Sequence, residues 1–119
     1  MSEIQEFLDR YIQFLSHRFE VYKVGNLIIV ETPFLDGHND AIGINIEPRS
    51  DGNFKISSDV LDTLEIADEL DELTWINYIT ISYGVTIENN QVVALADADN
   101  FVRIFHQILS ATIILSNMR

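Results

Sequence analysis

Residues 19–32 read FEVYKVGNLIIVET, two strand-like runs on either side of Gly25 and Asn26. Glycine and asparagine tolerate the positive φ angles of a tight hairpin turn, so the two runs are predicted to pair antiparallel. The second run, Leu27–Thr32, is apolar on both faces, which is typical of an internal strand covered on each side. Pro33 cannot donate a hydrogen bond to a neighbouring strand and is expected to end this one. The hairpin therefore begins an antiparallel sheet.

A helix is predicted before this hairpin and two strands after it. Apolar residues recur at intervals of three and four from Ile4 to Phe19, which indicates an amphipathic helix ending near Arg18. Residues 41–47 alternate between apolar and polar side chains, as a strand with one buried face does. A fourth, short strand is expected at residues 54–56.

The second half of the chain is predicted to hold helices and one more hairpin. The elements are a helix capped by Ser57 or Ser58 and bearing Val60, Leu61, Leu64, Ala67 and Leu70, a helical stretch from about Leu73 to Tyr83, a hairpin turning at Asn89-Asn90, and a last helix opened by Asp97 or Asp99. The apolar face of that last helix is broad, and it comprises Phe101, Val102, Ile104, Phe105, Ile108, Leu109, Ala111, Thr112, Ile113 and Leu115.

The predicted order of elements is α-β-β-β-β-α-(α)-β-β-α. Hairpins join the strands and the helices cluster at the ends and the middle, so the class is α+β with a mainly antiparallel sheet. No long linker divides the chain, and residues 1–119 are expected to form a single domain. Such an order in a small acidic chain looks like the type III secretion chaperone fold, which is an analogy of architecture.

Charge is the feature most informative about partners. The chain has 19 acidic and 7 basic residues, a net charge of −12. No base lies between Lys55 and Arg103, an interval that holds ten acids. This field repels phosphate backbones and attracts basic surfaces, which argues for a basic protein partner and against direct nucleic-acid binding. The candidate partner-binding residues are Asp59, Asp62, Glu65, Asp68, Glu69, Asp71 and Glu72. The alternative is that these acids only keep the protein soluble.

Other classes of protein are disfavoured by what the sequence lacks. It has no cysteine, and neither a secretory signal nor an apolar run long enough to cross a membrane, so a cytoplasmic location without membrane binding is expected. No metalloprotease, phosphate-loop or dinucleotide-binding motif is present, no residue is assigned a catalytic role, and no cofactor is expected. Trp75, Tyr78 and Tyr83 are expected to pack on the sheet, with partner anchoring as the alternative.

The densest polar cluster is PFLDGHND at residues 33–40. Asp36, His38 and Asp40 could bind a divalent cation, or a carboxylate could orient His38 as a base, with Glu31, Glu47 or Asp59 as candidates for a further ligand from elsewhere. In the alternative interpretation, Asp36, Asn39 and Asp40 hydrogen-bond their own backbone within a turn. The first reading predicts a metal site and the second a structural loop.

Four stretches resemble the prokaryotic and phage family of domain of unknown function 1828: TPFLDGHND at 32–40, FKISSDVLDTLEI at 54–66, YGVTIENNQVVAL at 83–95 and FVRIFHQIL at 101–109. By that resemblance the motif positions here are Phe34, Leu35, Asp36, His38, Asn39 and Asp40. Position 37, often basic in the family, is glycine here, and only one acid of the family's second acidic turn is kept. The family's occurrence in phage and prophage implies a role in conflict between phage and host.

Three functions are compatible with these observations. The first is a non-enzymatic acidic protein-binding module, in its sharpest form a phage inhibitor of a host nucleic-acid-binding defence complex, acting as an anti-CRISPR-like nucleic-acid mimic. The second is a metal-dependent hydrolase or nuclease that uses Asp36, His38 and Asp40. The third is a secretion-chaperone-like binder of an amphipathic segment, and the broad face of the last helix could instead form a homodimer.

Overall fold

The computed structural model describes residues 2–59 and 70–117, the first four of the second range by backbone alone. Within these residues the elements are α1 (Ser2–Ser16), β1 (Glu20–Val24), β2 (Leu27–Leu35), β3 (Ala41–Pro48), β4 (Phe54–Asp59), α2 (Leu70–Tyr83), β5 (Thr86–Glu88), β6 (Gln91–Ala96) and α3 (Phe101–Ser116). The order and the α+β class agree with the sequence prediction. The predicted helix over Val60–Leu70 lies mostly outside the described residues.

All six strands form one antiparallel sheet in the order β1-β2-β3-β4-β6-β5. The first hairpin turns at Gly25 and Asn26 as predicted, with Gly25 at φ 62° and Val24 paired with Leu27. The second turns at Asn89 and Asn90, whose φ angles are 50° and 63°. Both turns use the left-handed backbone that the right-handed twist of a hairpin requires.

The hydrophobic core lies between one face of the sheet and helices α2 and α3. Ile44 and Ile56 on the sheet are fully buried, as is Ile108 on α3. Helix α3 packs across β3, β4 and β6, and α2 lies beside it. Because α3 is covered by the sheet and by a helix, its apolar face is broader than the usual stripe. Most of this broad apolar face is therefore in contact with the sheet and with α2.

Two predicted boundaries were wrong. Pro33 does not end β2, which continues to Leu35. The pairing of β2 with β1 stops at Glu31, and its register with β3 shifts between Glu31 and Leu35, so Pro33 lies at an irregularity where no ladder N–H is needed. Ser57 and Ser58 do not cap a helix, because both lie buried in β4.

Ser58 shows why β4 is longer than its sequence predicts. Its hydroxyl donates to the carbonyl oxygen of Gly43 on β3 at 2.9 Å. A buried serine with a hydrogen-bond partner is tolerated in a strand, whereas its sequence preference is for helix caps and turns.

The internal strand β2 is less covered than predicted, since Leu27 and Ile29 on the face away from the core are only half-buried.

Candidate interaction surfaces

The loop between β2 and β3 is built around the side chain of Asp36. Its Oδ1 accepts hydrogen bonds from the backbone N–H of His38 at 2.8 Å and of Asp40 at 3.0 Å. The backbone N–H of Asp36 in turn donates to the carbonyl of Asp40 at 2.9 Å. Asn39 takes the left-handed conformation at φ 63°, which asparagine tolerates better than most residues. These contacts are those of the structural-loop interpretation.

The same loop holds the end of α3. Gly37 approaches the backbone carbonyl of Ser116 so closely that a Cβ at position 37 would lie well inside van der Waals contact with that oxygen. On the strand before the loop, the ring of Phe34 packs edge-to-face on Phe19 with centroids 6.3 Å apart. Close packing against α3 therefore requires glycine at position 37 in this chain. The turn sequence alone did not reveal this requirement.

The metal hypothesis depends on whether the polar residues converge. Asp36 and Asp59 do border one concavity of about 340 Å³, as a site using both would need. Oδ1 of Asp36 is taken up by the loop N–H groups, and Oδ1 of Asp59 accepts from the Gln91 amide at 2.9 Å. Within residues 2–59 and 70–117 no three His, Asp or Glu side chains come together as metal ligands would. The described residues thus offer no ligand set for the hydrolase.

The predicted partner-binding acids are only partly described. Asp59 is exposed at the end of β4, and Asp71 and Glu72 belong to α2. The others, Asp62, Glu65, Asp68 and Glu69, lie outside the described residues. At the sheet end where β4 finishes, the loop between β2 and β3 contributes the half-buried Asp36 and the exposed Asp40. Acids from separate parts of the sequence therefore meet at this end of the sheet.

Helix α2 displays an apolar patch, Trp75, Tyr78 and Ile81, which are 55%, 60% and 80% exposed. The rings of Trp75 and Tyr78 contact each other with centroids 5.3 Å apart. The prediction that Trp75 and Tyr78 pack on the sheet was wrong, while Tyr83 is half-buried against the core as expected. We call Trp75, Tyr78 and Ile81 the α2 patch.

The reason for that error lies in the composition of α2. Ile76 and Ile79 are buried among the described side chains of α2, and apolar side chains on its other side form the patch. A helix that is apolar all round gives no periodic signal for which face turns inward. The exposure of Trp75 and Tyr78 was therefore decided by where the sheet and α3 lie.

A family model described as Domain of unknown function DUF1828 matches residues 32–114, more than half of the chain. The chain belongs to the DUF1828 family. The DUF1828 match begins within β2, after α1 and β1, and includes the loop between β2 and β3, strands β3 to β6, helix α2 and α3 as far as residue 114. No curated protein and no solved structure matches the chain, so the likeness to type III secretion chaperones stays a prediction. No described helix of this DUF1828 protein is long and apolar enough to cross a membrane.

Helix α1, which precedes the DUF1828 match, has an apolar face that the other described residues leave uncovered. It buries no side chain, and six large apolar residues are each at least 50% exposed: Ile4, Phe7, Leu8, Tyr11, Ile12 and Phe14. We call these six residues the α1 face. The opposite side of α1 is polar, and there the guanidinium of Arg10 pairs with Glu6 at 2.6 Å.

Strand β1 is the edge strand beside α1 in the sequence, and it is also exposed. Val21 and Val24 are 67% and 63% exposed. The hydroxyl of Tyr22 donates to the carboxylate of Glu20, and this hydrogen bond raises the pKa of Tyr22. Charged and polar side chains on an edge strand discourage unspecific pairing with other strands, and Glu20 and Lys23 have that position here.

Proposed function

We propose that this DUF1828 protein is a non-enzymatic protein-binding module whose partner presents a basic surface. The observation that carries the proposal is the α2 patch, which directly follows the acid-rich segment from Asp59 to Glu72 in the chain. Exposed Trp and Tyr side chains are the residue types that contribute most to binding energy at protein interfaces. Two contacting aromatic rings that the described residues leave in water favour a partner surface that covers them.

Charge supplies the second part of the argument. Ten acids and no base lie between Lys55 and Arg103, and the α2 patch lies within this interval. A negative field of this kind accelerates association with a positive surface and excludes other acidic proteins and nucleic acids. The proposed division of labour is that the acids attract the partner and the aromatic side chains hold it.

Basic surfaces of the required size commonly belong to proteins that bind nucleic acid. The occurrence of the family in phage and prophage then favours a host defence complex as the target, with the acids standing in for phosphates as in an anti-CRISPR-like mimic. A cytoplasmic site of action is part of this proposal. The described part of the chain offers no ligand cluster that would favour the hydrolase alternative.

The test is a pull-down from host lysate at low and high salt, with captured proteins identified by mass spectrometry. We compare the protein with a variant carrying Glu65→Lys, Glu69→Lys and Glu72→Lys. The matched control reverses three exposed acids outside the interval from Lys55 to Arg103, Glu20→Lys, Glu31→Lys and Glu47→Lys, and so has the same net charge. A partner lost at high salt and with the first variant, and retained by the control, supports the proposal.

A second arm separates the aromatic contribution from charge. Trp75→Ala with Tyr78→Ala should weaken binding of the captured partner by at least about tenfold, mainly through faster dissociation, because truncating interface aromatics usually costs more than 1 kcal/mol each. Excess double-stranded DNA should displace the protein from a partner that normally holds nucleic acid. Binding that is indifferent to salt and to both sets of substitutions would contradict the proposal.

A further inference from the structure

We propose that the α1 face is a self-association surface, through which two copies of this chain pair by antiparallel packing of their α1 helices. The face is separate from the α2 patch, and the inference does not depend on the proposed function. Helix α1 has 15 residues, a length at which an isolated helix is only marginally stable in water. Its face therefore needs a cover that the described chain does not provide.

The polar side of α1 argues for a second copy as that cover. The acids Glu3, Glu6 and Asp9 lie in its first half, whereas Arg10 lies past its middle and Arg18 just after its end. Antiparallel pairing places the acidic half of one helix beside the basic half of the other, and it also aligns the two helix dipoles favourably. Pairing about a two-fold axis repeats each such contact.

Net charge points the same way. Residues 2–24 contain four acids and three bases, so this segment is close to neutral, while the remainder of the chain holds 15 acids and 4 bases. Two such strongly acidic chains repel each other least when they meet through their nearly neutral segment. A membrane surface is disfavoured as the cover, because the polar side of a membrane-binding helix is typically rich in Lys and Arg.

The exposed area is also sufficient for a pair. A half-exposed Phe or Tyr presents on the order of 100 Å². The six residues of the α1 face then offer roughly 600 Å² per copy, or about 1,200 Å² for the pair, which is the lower end of the range for specific interfaces. The guanidinium of Arg18 lies 4.5 Å from the ring centroid of Phe14, at the border of the face, and adds a polar rim.

Sedimentation velocity over a range of protein concentrations tests the proposal. The protein should show a monomer–dimer equilibrium, and Leu8→Ser or Tyr11→Ser at the centre of the face should raise the dimer Kd at least about tenfold. Gln13→Ser on the polar side is the matched control and should leave the Kd unchanged. Circular dichroism melting at concentrations where the protein is monomeric should show that the fold is intact, since α1 buries no side chain.

A charge exchange tests the antiparallel arrangement itself. Glu3→Arg alone and Arg18→Glu alone should each weaken the dimer, and the double variant should restore it, because each substitution re-pairs with the other across the two-fold axis. A protein that stays monomeric at every concentration overturns the proposal. A dimer that survives Leu8→Ser and Tyr11→Ser overturns it as well. The proposal is also overturned if these variants lose a different partner protein from lysate while their Kd for self-association is unchanged.

Discussion

Helices α1 and α3 have similar lengths and are both amphipathic, but their environments are opposite. Both are amphipathic, with 15 and 16 residues, and each lies near one end of the chain. Helix α3 buries six side chains against the sheet and α2, whereas α1 buries none. The comparison teaches that helical periodicity identifies an apolar face and leaves open what covers it.

The difference between the two helices follows from their polar sides and their neighbours. Helix α3 has apolar residues beyond one stripe, and the sheet and α2 together bury most of them, while Val102 stays 82% exposed. Helix α1 has a narrower face with charged residues opposite, including the exposed Glu6–Arg10 pair, which contributes little to stability. The DUF1828 match covers α3 as far as residue 114 and begins after α1.

The largest expected effect is the contrast between two isoleucines, Ile108 on α3 and Ile12 on α1. Ile108 is 0% exposed and Ile12 is 61% exposed. Ile108→Ala should lower the free energy of unfolding by about 2–5 kcal/mol, because it removes buried methyl groups and leaves a cavity. Ile12→Ala should change it by less than about 0.5 kcal/mol in the monomer. Urea unfolding of the two variants measures both values, and equal losses would remove the distinction between the helices.

The next effect concerns how the C-terminal end of α3 is held. Gly37→Ala should lower stability by about 1–3 kcal/mol, because the new Cβ meets the Ser116 carbonyl and the loop or the helix end must shift. Gly43→Ala is the matched control, since a Cβ there meets nothing within 4 Å. Thermal unfolding of the two variants gives the comparison. If both variants melt at the same temperature as the parent, the loop does not hold α3.

The smallest of these effects is at Asp36, which organises the loop that reaches α3. Asp36→Ala should cost about 1–2 kcal/mol, because two loop N–H groups lose their acceptor. Asp36→Asn keeps an oxygen at Oδ1 and should cost less, and Asp40→Ala, which removes no described side-chain hydrogen bond, serves as the control. Chemical unfolding distinguishes the three. An Asp40→Ala variant as destabilised as Asp36→Ala would show that Asp36 has no special place in the loop.

Much of the fold could be predicted from local patterns. The turns at Gly25-Asn26 and Asn89-Asn90 were readable because those residues tolerate positive φ angles. Gly84 follows α2 at φ 66°, a conformation that glycine commonly supplies at the end of a helix. Pro33 and Ser58 misled the prediction, because their local preferences are for strand ends and caps, and the register shift in β2 and the hydrogen bond to Gly43 override those preferences.

The candidate surfaces were less predictable than the fold. The backbone turn at Asp36 was one of two interpretations of PFLDGHND, and the described contacts agree with it. Exposure of Trp75 and Tyr78 could not be deduced, since α2 is apolar on both sides. The acids were visible in the sequence, yet no one-dimensional pattern says that Asp36 and Asp59 border the same concavity.

The sequence by itself determined the helices, the hairpins, the α+β class, the family and the uneven charge, because these depend on residue types and on spacings of a few residues. Only the tertiary structure decided which apolar faces are buried, since burial depends on which elements meet across the sheet. Ile108 and Ile12 have the same side chain in the same kind of helix, and one is enclosed while the other is in water. The surfaces open to partners are thus set by long-range packing, and the described part of the chain leaves the α1 face and the α2 patch uncovered.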